Sequence, residues 1–161
     1  MDFYGINLKA DVTADGTPDV GTALSPLGTI YGEVTAAQWG DLAEKYTCKE
    51  ECEPGTVICV SRDPKFDVEP CNDELSMSVI GAISTKPGLI MNSSLVGEFV
   101  ALTGRLPVKV IGPIYKGDFI VAAGNGCARA GVLSDELVYK IGVANETNSD
   151  TGIKLVECVI K

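Results

Sequence analysis

From Pro54 to Lys161 the sequence is a succession of short apolar, β-branched runs, each cut off within a few residues by Gly, Pro or an Asn-Asp pair. That punctuation leaves no room for the helices that link parallel strands, so a parallel sheet is disfavoured and antiparallel pairing is expected. Strands are predicted near Thr56–Ser61, Met77–Ser84, Glu98–Leu102, Leu106–Ile111, Asp118–Ala122, Tyr139–Asn145 and Ile153–Ile160. Their spacing of about 10 to 15 residues suits a barrel or a sandwich. The expected fold class is therefore mainly β: an antiparallel β-barrel or sandwich of short strands, with an extended N-terminal arm and at most one short helix.

Turn chemistry supports that pattern. Pro54-Gly55 feeds the run Thr56-Val57-Ile58, and Tyr115-Lys116-Gly117-Asp118 feeds Phe119-Ile120-Val121. In each the glycine is free to take positive φ. Asn125-Gly126, between Phe119–Ala123 and Cys127–Ala130, predicts a two-residue type I′ hairpin. The last run, Ile153–Ile160, begins in alternation and ends in continuous apolar residues, which predicts one wet face at its start and cover on both faces at its end.

The first third reads differently. Residues 1–27 are rich in turn formers such as Asp15-Gly16, Thr17-Pro18-Asp19 and Ser25-Pro26, which predicts an irregular arm. Gly28–Val34 reads as a strand. Thr35–Tyr46 predicts a helix, with Thr35 as N-cap and Trp39, Leu42, Ala43 and Tyr46 near helical spacing. Gly40 weighs against it by about 1 kcal/mol relative to Ala. The expected division is an arm and oligomerisation segment at 1–34 and a β-rich terminal domain at 35–161. The arm carries too little apolar surface to offset an ordering cost of roughly 1 to 2 kcal/mol per residue. Its order is expected to come from neighbours, and three copies wound about an axis would hide Leu27 and Ile30.

A formal net charge of -9 argues against a surface of clustered Lys and Arg that neutralises phosphates, so nucleic acid is not an expected partner. Met1-Asp2-Phe3-Tyr4 does not begin a secretory signal, and no stretch approaches the roughly 18 apolar residues of a membrane span. The expectation is a soluble protein made in the cytosol, without membrane insertion.

Nor does the sequence assemble a catalytic set. The chain has no His, which removes Ser-His-Asp and Cys-His schemes. Gly124-Asn125-Gly126 lacks the Gly-Lys-Ser/Thr ending of a phosphate loop. The acidic stretch Glu50-Glu51-Cys52-Glu53, with Asp63, Asp67 and Glu69, is a conceivable calcium site, but without EF-hand spacing a solvated loop is the favoured reading. Of the six cysteines, Cys48-x3-Cys52 is looser than a zinc knuckle. A disulfide joining Cys48 or Cys52 to a neighbour is the more plausible pairing if the protein matures outside a reducing cytosol. Free buried thiols are the alternative, and Cys127 and Cys158 are expected to belong there. Paired carboxylates for glycoside cleavage are disfavoured by the short chain and its single Trp. At Asn92-Ser93-Ser94 a Ser hydroxyl beside an Asn peptide raises self-cleavage by acyl shift, against a polar turn as the favoured reading. No catalytic, cofactor-binding or metal residues are assigned, no cofactor is expected, and the chain is not expected to be an enzyme.

Four segments carry a more specific signal. Asp19-Val20-Gly21-Thr22 through Ile30-Tyr31 resembles the segment that precedes the terminal domain of phage tail-fibre proteins. Asp41-Leu42-Ala43-Glu44-Lys45-Tyr46 followed by Pro54-Gly55-Thr56-Val57 resembles the entry to that domain, Met77–Asn92 its core, and Val100–Asp118 its following strand pair. In the same order, they cover most of residues 19–122. The chain thus resembles the C-terminal domain of bacteriophage tail-fibre and appendage proteins. The resemblance implies a virion structural protein, a β-rich cap or tip on a homotrimeric fibre or appendage, contacting other virion proteins. Three alternatives stay open: a capsid-decorating protein, a module binding a host-surface glycan or receptor through loops such as Lys49–Glu53 and Asp63–Asp73, and a self-cleaving maturation domain, to which no catalytic residues map.

Overall fold

The computed structural model describes residues 11–12, 18–19, 40–135 and 139–161. The chain divides into two units, residues 1–35 and 36–161. In the first, β1 (Asp11–Val12) and β2 (Pro18–Asp19) pair antiparallel, Asp11 opposite Asp19. The strand expected at Gly28–Val34 lies outside the described residues, as does most of the arm.

The second unit is built from ten strands: β3 (Leu42–Tyr46), β4 (Val57–Val60), β5 (Val68–Pro70), β6 (Val79–Ile83), β7 (Leu89–Met91), β8 (Glu98–Ile111), β9 (Phe119–Gly124), β10 (Cys127–Ala130), β11 (Gly142–Ala144) and β12 (Ile153–Ile160). Among the described residues a single 3-10 turn, Leu133–Asp135, stands between β10 and β11. The mainly β expectation holds, and of its two forms the structure takes the barrel.

The C-terminal half of β8 pairs with β12, β12 with β11, β11 with β9 and β9 with β10, all antiparallel. A single parallel pair, Ala128 opposite Val110, returns β10 to β8 and closes the ring. Alternation then sorts the side chains. Leu106, Val108, Val110, Ile120, Ala122, Ala128, Ile141, Val156, Cys158 and Ile160 fill the inside, while Ile111, Ile153 and Leu155 stay exposed. The end of β12 departs from its expected cover on both faces. Val159 remains 38% exposed because a barrel has an outside along its whole height, and the residue lies opposite Arg105 and Val143 there.

A second, smaller ring grows from the other half of β8. There β8 pairs with β3 on one side and β6 on the other, β6 with β4 and β4 with β5. An isolated parallel bridge from Val68 to Cys48, just past the end of β3, completes the circuit. Ile58, Val68, Ile83 and Val100 are its buried core, with Tyr46, Cys48, Cys52 and Leu102 packed against them. β7 hangs on the far edge of β3 as a parallel strand.

Two expectations are corrected here. Within the span read as a helix, Leu42–Tyr46 is a strand, because its backbone is paired on both edges, by β7 and by β8. And the runs expected as two strands at Glu98–Leu102 and Leu106–Ile111 are one strand of 14 residues. It bends at Gly104, whose φ of 116° is open to glycine alone and whose α-carbon is so close to Gly40 that a Cβ would stand 2.2 Å from that residue's carbonyl oxygen. The Asn125-Gly126 hairpin forms as expected, both residues at positive φ (51° and 67°).

Candidate functional site

The described residues place the chemistry-bearing side chains of the small ring in one region, the loop from Thr47 to Glu53 and the turn that faces it. Thr47 leaves β3 and is held by Asp67, whose carboxylate accepts from the Thr47 amide at 2.9 Å and from its hydroxyl at 2.6 Å. Those bonds hold the Asp67 carboxyl below the usual range. Lys49 pairs with Glu69 at 2.9 Å, and the ammonium lowers the Glu69 carboxyl in turn. At the far end of the loop Glu53 pairs with Lys109 of β8 and is lowered by it. A cleft of roughly 320 Å3 opens beside this pair, with Glu50, Cys52, Asn72 and Asn125 on its walls.

These pairings engage three of the acidic residues raised as a calcium site. Glu53, Asp67 and Glu69 each answer a different local donor, and Asp63 caps the amide of Lys65 at 3.0 Å. Among the described residues no three Cys, Asp or Glu side chains converge as metal ligands.

Cys48 and Cys52 do approach each other, with sulfurs 3.5 Å apart. Burial, then the neighbouring Cys48 thiol, pushes the Cys52 thiol up to about 12. Of the two readings left open for this pair, the structure shows free thiols, and the disulfide it holds joins Cys59 of β4 to Cys71 just beyond β5. Antiparallel pairing of those strands sets Cys59 opposite Glu69 and leaves the two α-carbons 4.9 Å apart, within bridging reach. Cys127 and Cys158 are free and buried as expected, and burial raises the Cys158 thiol to about 12.

Asn92 ends β7 at a φ of 53°. Its side-chain amide donates to the Lys45 carbonyl at 3.3 Å and its own carbonyl accepts from Leu95 at 3.1 Å, the bonding of a polar turn. Ser93 and Ser94 are exposed.

Two charged features carried no sequence signal. Asp41 is 3% exposed; its Oδ1 accepts from the Gly88 amide at 3.2 Å, and its Oδ2 has no partner among the described residues. Arg129 is clamped between Glu74 at 3.0 Å and the buried Asp135 at 2.7 Å. Each partnership spans loops whose meeting only the fold decides.

No family model matches the sequence, and no curated protein matches it. Among solved structures the fold is similar to that of the pre-mature bacteriophage phi29 gene product 12, with a TM-score of 0.62 and 14% identity over 83% of this chain. The match covers 23% of that protein, and at this identity the likeness is one of fold.

Proposed function

We propose that this chain is a non-enzymatic structural domain of a bacteriophage particle, a cap or tip assembled as a homotrimer and located in the virion. The observation that carries the reading is the fold held in common with a phage protein over 83% of the chain. It stands beside the four ordered segments that resemble tail-fibre and appendage proteins. Two surfaces suit an assembled state. Ile153, Leu155 and Ile111 form an apolar stripe on the outer wall of the barrel, 60%, 48% and 40% exposed. Among the described residues the outer edge of β7 has no strand partner, and Leu89, Ile90 and Met91 are exposed along it.

Light scattering tests the assembly. The intact chain is expected to have three times its monomer mass, and a form lacking residues 1–27 to remain folded as a monomer. An intact chain that stays monomeric at micromolar concentration overturns the trimer. Incubating the intact chain across pH and divalent metals and reading its mass tests the rest: an unchanged mass is expected, and a stable fragment pair divided near Asn92 overturns the non-enzymatic reading.

A further inference from the structure

We propose that Cys48 and Cys52 are a reversible dithiol–disulfide couple, a second redox site that closes when the protein passes from a reducing to an oxidising solution. Their sulfurs already face each other at 3.5 Å, and both residues are partly exposed. The other four cysteines are otherwise engaged: Cys59 and Cys71 are bonded and 5% and 1% exposed, and Cys127 and Cys158 are free but 3% and 0% exposed. Only the Cys48–Cys52 pair combines proximity with access.

The backbone positions the two thiols. Cys48 lies on the bridge to Val68 that completes the small ring, and the next amide, of Lys49, donates to the Val68 carbonyl at 3.0 Å. Lys49 is further tied to Glu69. The chain then curls back so that the Cys52 thiol, besides facing Cys48, reaches the Glu50 carbonyl at 3.4 Å. A metal does not explain the pair, since tetrahedral zinc takes four ligands and no third Cys, Asp or Glu converges with them among the described residues.

With glutathione disulfide as oxidant the step balances. The Cys48 thiolate attacks one glutathione sulfur, forming a mixed disulfide and expelling a glutathione thiolate. The Cys52 sulfur then attacks Cys48, the internal S–S bond forms and the second glutathione leaves. The two thiol protons end on two reduced glutathiones, and the protein has lost two electrons. Cys48 takes the first step and Cys52 resolves it, since the Cys52 sulfur is also engaged by the Glu50 carbonyl at 3.4 Å.

The test uses the full chain, equilibrated in glutathione buffers of graded ratio, quenched with acid, alkylated and read by peptide mass. Cys48 and Cys52 are expected to lose their alkylation together and to appear as one internally linked peptide, while Cys59–Cys71 stays closed across the same range. In Cys52→Ser the expected product is a stable glutathione adduct at Cys48, since the resolving thiol is gone. Wild-type protein that carries stable glutathione adducts, or that leaves both thiols open to alkylation in a hundredfold excess of glutathione disulfide, overturns the proposal. The wild-type readout stands even where the variant fails to fold.

Discussion

Ala128 of β10 lies opposite Val110 of β8, the one parallel contact in a ring otherwise antiparallel, and with it the barrel is closed. Both residues are fully buried. Closure at this seam needs a side chain no larger than a methyl group on β10, since native interiors leave few voids. Ala128→Leu is expected to cost about 2 to 3 kcal/mol by overpacking. Urea denaturation measures it, and a change within about 0.5 kcal/mol, the range of an ordinary surface substitution, would show the seam to be slack.

Gly104→Ala probes the bend between the two rings. An added methyl meets the Gly40 carbonyl oxygen and the Asp41 backbone, and the φ of 116° is strained for any other residue. A loss of about 3 kcal/mol is expected from backbone strain and displacement together. Thermal unfolding would register it as a lowered Tm, and an unchanged Tm would mean that β8 straightens at no cost.

Acid should weaken the fold through Asp135. Arg129, and then the Val132 amide, hold its folded-state carboxyl below the ordinary value. A depressed carboxylate stabilises the fold above the unfolded pKa and loses that contribution as pH falls through the folded one. The stability attached to Asp135 is thus complete at neutral pH and disappears below about pH 4. Asp135→Asn is expected to lower the denaturation midpoint at pH 7, with the gap to wild type narrowing as pH falls below 4. A gap that stays constant with pH would rule out the ion pair as its source.

The β7 edge makes the opposite kind of prediction, a substitution without a stability cost. Ile90 is 41% exposed on a strand that, among the described residues, is paired on one side only. Ile90→Lys should leave unfolding within about 0.5 kcal/mol of wild type and reduce association at high concentration, since charge on an edge blocks strand-to-strand docking. Sedimentation velocity follows the second effect; undiminished association would place self-contact elsewhere.

Much of this architecture was legible in the sequence, and the exceptions share a cause. The Asn125-Gly126 hairpin and the span of β12 follow from local chemistry: a turn that needs two positive φ values, and an apolar run of eight residues that begins in alternation. Leu42–Tyr46 misled because Leu42, Ala43 and Tyr46 also fit a helical stripe. What decides for a strand is pairing with Leu89–Met91 and with Glu98–Thr103, more than forty residues away. β5 and β7 are three residues each, too short to show any period. The Cys59–Cys71 bond depends on the register of β4 against β5, which spacing along the chain does not encode. The same holds for the loop chemistry: the acids around Glu50–Glu69 were visible, but their individual partners, Lys109 for Glu53 and Thr47 for Asp67, were not.

β8 also sets a schedule for folding. Its partners are β3 and β6 ahead of it in the chain and β10 and β12 behind it, with residues 104–111 waiting for 153–160. During synthesis the small ring can assemble once Ile111 has emerged, while the larger one cannot shut before Ile160 follows. Until then the apolar inner face of residues 106–110 is only partly covered, by Ile120, Ala122 and Ala128 of the strands already made. Pairings this distant in sequence fold in milliseconds to seconds rather than microseconds, so this strand is the segment most in need of protection from premature sticking in a newly made chain.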